Sequence, residues 1–201
     1  MKLFVVCLVA LAASACRSNP DEPVAYTPGV PSPARWANLS KDCPEDAPAY
    51  SLPASLGGPL NLTPSQGNER DAYIARTNPG GWGGRAFRDS VQYYMYMVDT
   101  TQTQELFATL RQRGILVPDN TRLLRGRWDF AQLYEWQSFF YPKMQDKVEF
   151  SAYIDVPLNR LEFSTTSEAD RTKLDSVFSA LDIPCFLAAI AVDPPGPPRG
   201  G

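Results

Sequence analysis

Five acids are the side chains with which this chain could do acid–base chemistry: Asp129, Glu135, Glu149, Asp155 and Glu162. Two carboxyls flanking one bond suit hydrolysis of a glycosidic linkage. Their neighbours favour plainer duties. Asp129 precedes an apolar-periodic run and reads as a helix cap, while Glu149 and Asp155 alternate with apolar residues and read as solvated sheet positions. Nucleophilic chemistry is narrower still. The chain has no histidine, so neither a Ser-His-Asp nor a Cys-His arrangement can form within it. A Ser-Lys pair needs a desolvated lysine, and Lys41, Lys143, Lys147 and Lys173 all stand in polar stretches. Gly81-Trp82-Gly83-Gly84-Arg85-Ala86 satisfies a G-x-G-x-x-A pattern. A phosphate loop needs a strand before it and a helix after it. Here Thr77-Asn78-Pro79 precedes, which is a turn, and a strand-like run follows. The glycines therefore read as a chain entry, with Trp82 packed down as a lid, and no cofactor is implied.

Cys43 and Cys185 lack both a C-x-x-C spacing and histidine, and two thiols do not make a zinc site. A structural disulfide is the expectation. It would tie the N-terminal segment to the domain across a long loop, worth about 4–5 kcal/mol if unstrained. Two features point to binding. Arg122, Arg125 and Arg127 form a basic knot beside Trp128, with Arg111 and Arg113 nearby in sequence. They read as a solvated face or, functionally, as a docking patch for lipid head groups or an acidic partner. In the run 130–141, Phe130, Leu133, Gln137 and Phe140 share one helix side, and Trp136 and Phe139 leave it. That predicts an exposed aromatic surface for a protein or peptide, which Trp82 could join.

The elements that must position these groups lie between residues 80 and 192. Val91 to Val98 reads as a strand that pairs with 85–88 across Asp89-Ser90. Thr101 and Gln104 stand at capping-box spacing before a helix with Leu106, Phe107 and Leu110 as its stripe, stopped by Gly114. Residues 121–127 suit a short strand. A second helix spans 130–141, ended by Pro142. Residues 147–155 alternate cleanly, turn through 156–159 and return over 160–165. Ser167 and Asp170 start a third helix in which Leu174, Val177, Phe178 and Leu181 fall at i, i+3, i+4 and i+7. Residues 185–192 form a last apolar strand, central in its sheet. The fold class predicted is α+β: a mainly antiparallel sheet with about three helices on one face, closing in an αββαβ, ferredoxin-like half. Residues 49–79 read as an irregular segment lying on this domain, 16–48 as a Pro-rich tether and 193–201 as a disordered tail. No internal repeat is visible.

The N-terminus reads as a secretory signal over residues 1–15: Met1-Lys2, an apolar run from Leu3 to Ala13, then Ala13-Ser14-Ala15. With Cys16 next, it resembles the lipobox of bacterial lipoproteins, although Ala13 stands where that pattern has Leu or Val. The resemblance implies an acylated Cys16, membrane attachment through its lipid and a place in the cell envelope, on the outer membrane of a Gram-negative organism. Ordinary cleavage after Ala15 is the alternative. Lipidation of Cys16 would leave Cys43 and Cys185 as an even pair once Cys7 departs with the signal. "GGWGGRAFRD", "MYMVDTT" and "AYIDVPLNRLEFSTT" together resemble the propeptide domains of α-lytic-type secreted serine proteases, over residues 80–192. That resemblance implies a small α+β module that packs on a partner protein and does no chemistry. Net charge is −3, which with export argues against nucleic acid as partner. The expectation is a non-enzymatic envelope module for an unknown protein or peptide. Its alternatives are a carboxylate-dependent hydrolase of envelope polymers and a purely structural lipoprotein.

Overall fold

The computed structural model describes residues 35–36, 44, 47–88 and 92–193. The expected signal segment, Cys16, Cys43, the Asp89-Ser90 turn and the tail beyond 193 lie outside the described residues. The chain is α+β, as its mixed pattern predicts. Among the described residues it departs from the expected single sheet by building two, with four α-helices where about three were expected. Arg35–Trp36 (β1) joins Ala188–Val192 (β7), Arg160–Thr165 (β6) and Ser151–Asp155 (β5) in the order β1-β7-β6-β5. Trp82–Arg88 (β2), Gln92–Met97 (β3) and Arg122–Arg125 (β4) form the second sheet in that order. β1 lies inside the stretch expected to be tether alone; its backbone pairs with the edge of β7 that would otherwise stand open.

The helices are Gly67–Thr77 (α1), Thr103–Gln112 (α2), Phe130–Met144 (α3) and Glu168–Ala180 (α4). α1 falls where an irregular segment was expected. It buries Ala72, Ile74 and Ala75, and two small alanines make a faint apolar stripe. Glu69 fastens its start, accepting from the Ser65 hydroxyl at 2.7 Å and the Thr63 N–H at 3.2 Å. Before α2, a 3-10 turn over Thr100–Gln102 is capped by Asp99, which accepts from the Thr101 N–H at 3.0 Å. Asp99, not Thr101, is therefore the cap. Gly114 ends α2 with φ +70°, and the Ile115 N–H reaches back to the Leu110 carbonyl at 2.9 Å, a Schellman ending. Asp129 and Gln132 complete a capping box on α3. That helix runs through Pro142 rather than ending there. Pro142 sits in the final turn, where the Gln145 N–H still reaches the Tyr141 carbonyl at 3.1 Å and Met144 is fully buried. Ser167 caps α4 as expected, and Leu174 and Phe178 are its buried residues.

The two sheets are built the same way. In each, a helix precedes an antiparallel hairpin, and a second helix carries the chain over to a parallel strand. The αββαβ order expected only at the end of the chain thus occurs twice. The copies keep one spacing. β3 and β6, the caps Asp99 and Ser167, the buried pairs Leu106/Leu110 and Leu174/Phe178, and the positive-φ residues Gly114 and Asp182 each lie 68 positions apart. Ile115 and Ile183, both buried, follow at the same interval.

Each half has its own core. The first packs Trp82, Tyr93, Met95, Met97, Leu106 and Leu110. The second packs Trp136, Phe140, Phe163, Phe178, Leu187 and Ile190. α3 belongs to both, giving Phe130 and Ala131 to one and Leu133, Trp136, Phe140 and Met144 to the other. A helix enclosed on several sides is apolar on several sides. No described helix is long and apolar enough to cross a membrane.

Candidate functional site

The aromatic surface expected on α3 is not a surface. Trp136 is 1% exposed, its indole N–H donates to the Tyr50 carbonyl at 3.1 Å, and it stacks on Phe140. Phe139 is half-buried, edge-on to Trp136, with the Lys143 ammonium 4.5 Å from its ring centre. Trp82 is fully buried and stacks on Phe130. These three residues serve packing, because α3 lies between two cores and beneath residues 49–60. The glycines around Trp82 are equally structural. A Cβ on Gly80, at φ +81°, would fall 2.5 Å from the Met97 side chain.

The basic knot is divided as well. Arg122 and Arg125 are exposed on β4. Arg127 is turned inward, donating to the Ala47 carbonyl and lying 4.4 Å from the centre of the Phe186 ring. Beside it, Asn159 joins the halves. Its amide oxygen accepts from the Arg127 and Trp128 N–H groups at 2.6 and 2.7 Å, and its NH2 donates to the Trp128 carbonyl at 2.8 Å. A side chain on Gly83 or Gly126 would strike that amide. Cys185 stands just before β7, and Cys43, its expected partner, lies outside the described residues.

Among the five candidate acids, two pairs draw together. Asp155 is buried rather than solvated: its carboxyl accepts from the Leu158 N–H at 3.0 Å and meets that of Glu162. Glu162 accepts from the Tyr153 hydroxyl at 2.9 Å and from the Arg160 guanidinium at 3.2 Å. Burial, reinforced by the neighbouring Glu162 charge, pushes Asp155 up to about 6. Partial burial and the same carboxylate raise the Tyr153 phenol. Deeper in, Glu135 forms an ion pair with Arg76 and accepts from the Leu60 N–H at 3.2 Å. Burial raises Glu135 and Asp129 alike, with Arg76 opposing. Glu149 is exposed. The Asp155 and Glu162 carboxyls, in direct contact, do not stand the roughly 5–9.5 Å apart at which a pair flanks a glycosidic bond.

The sequence reading missed a cleft of about 680 Å³ in the first half, within the ordinary range for a ligand site. α1 brings Arg70, Tyr73 and Ile74 to it, β2 brings Arg85, and the turn after α2 brings Arg113 to Leu116. Ile74 and Ile115 are buried and form an apolar floor. Arg70 and Arg113 are exposed, and Arg85 is half-buried. The Arg113 guanidinium lies 5.6 Å from the centre of the Tyr73 ring. Leu116 stands 68% exposed on the rim. Asp71 is the acid beside these arginines, in a loose 3.4 Å pair with Arg70. Burial raises its carboxyl, and Arg70 and Arg85 oppose that rise. No family model, curated protein or solved structure matches the chain.

The second half supplies a comparison from within the molecule. Arg85 pairs with Met95, and Phe163, 68 positions on, pairs with Ala152. Arg113 corresponds in the same way to Leu181. Ala152 and Leu181 are apolar and packed against their core. One framework thus closes this corner with apolar side chains and, in the other copy, holds it open with charged ones. Only Arg113 had a signal in the sequence, as a neighbour of the basic knot; Arg70 and Arg85 join it solely through folding.

Proposed function

We propose that the chain is an exported, lipid-anchored envelope protein that works as a non-enzymatic module for a protein or peptide, through the arginine-rimmed cleft. The cleft carries this reading: three guanidiniums, an apolar floor and an exposed leucine gather where the sister half has Ala152 and Leu181 in place of Arg85 and Arg113. Such a mix of charge and apolar area suits recognition. Anchoring rests on the Cys16 context. Pairing of Cys43 with Cys185 is part of the same proposal, since Arg127 touches both Ala47 and Phe186, close in sequence to the two cysteines. A photo-crosslinking amino acid placed at Leu116 in living cells tests the module. A discrete adduct there, with none from the same probe at exposed Tyr141, is expected. Equal labelling at both sites, or none at Leu116, contradicts it.

One observation favours the carboxylate-hydrolase alternative. Burial, with Glu162 beside it, holds Asp155 up to about 6, so in mildly acidic solution it carries the proton a general acid needs. That reading requires the chain to turn over isolated peptidoglycan and Asp155→Asn to stop it. No turnover by the parent chain ends it.

A further inference from the structure

We infer that the cleft takes an acidic peptide segment that also carries an apolar side chain. This rests on the binding-module reading and names the chemistry of its partner. Charge comes first. The described residues lining the cleft include three arginines and no acid; Asp71 beside it pairs with Arg70 and feels Arg85, and burial already draws its carboxyl toward the neutral form. The imbalance calls for an anion, and the planar guanidinium fork fits carboxylates in two-point contact.

Shape and dipole separate the sources of that anion. Arg113 and Gly114 follow the last residue of α2, so the helix presents its negative end to the cleft. A compact polyanion such as inorganic phosphate meets repulsion there and finds no row of backbone donors. A peptide spreads its carboxylates among the arginines and brings an apolar side chain with them. The floor of Ile74 and Ile115 and the rim of Leu116 and Tyr73 accept an apolar side chain between them. The floor is closed by the core, which suits a side chain better than an acyl chain.

The test selects from a random nonapeptide library on the full mature chain. Peptides enriched in Asp or Glu next to an apolar residue are expected, with binding that weakens as salt rises. Arg113→Gln and Leu116→Ser, both at exposed positions, should each cut affinity at least about tenfold while the melting temperature holds. Competition by inorganic phosphate, or by vesicles containing one-third phosphatidylglycerol, should be weak. Selection of neutral or basic peptides, no selection at all, indifference to both substitutions, or displacement by phosphate or vesicles would each overturn the inference. An adduct at Leu116 in cells without acidic selection removes this inference and leaves the module standing. Failure of both removes both.

Discussion

Asn159 shows how one side chain serves two halves. It sits at φ +49°, within the left-handed region that Asn tolerates better than most residues, and its amide holds three backbone groups of residues 127 and 128. Asn159→Ala strands those groups, so urea denaturation should show a loss of about 2–4 kcal/mol. Trp136→Ala should cost about 3–5 kcal/mol by the same measurement, because it empties a filled core site. Asp155 links stability to pH. Its folded pKa lies above its unfolded value, so the native state binds more protons between about pH 4 and 6. Its contribution is complete below pH 4 and disappears as pH rises through 6. Denaturation at pH 4.5 and 7 should show a decline of up to about 2 kcal/mol, flattened by Asp155→Asn.

Among the elements, α4, the β5–β6 hairpin and the Asp129 cap were legible in the sequence, because each carries a full periodic stripe or a matched pair of capping residues. α1 was not, since Ala72 and Ala75 are too small to mark a face and its cap residue is Gln66 without a side-chain bond. The fate of α3 was hidden for a different reason. Aromatics on several sides fit either an exposed binding helix or a doubly buried one, and only the presence of a second core decides between them. Asp155 was misread because alternation assigns a face and not what covers it. Since α3 joins both cores, amide exchange should be slowest across residues 133–140 and faster in α2, which packs on one core alone. Uniform exchange across all four helices would contradict that order.

For the whole molecule, the repeat escaped the sequence because spacing persisted while residue types diverged: Leu110 against Phe178, Gly114 against Asp182, Arg113 against Leu181. The cleft escaped it because Arg70, Arg85 and Arg113 come from three separate elements. Envelope attachment is tested at this scale by the mass of the mature N-terminal peptide, expected to carry diacylglycerol on Cys16 and contradicted by a free thiol there. The arginines themselves pose the sharper question, whether they serve a ligand or the fold. Arg85→Ala combined with Arg113→Leu gives the first half the residues of the second. If the guanidiniums serve a ligand, the melting temperature of this variant stays within about 2 °C of the parent or rises. A fall of more than about 5 °C would show that they hold the fold together instead.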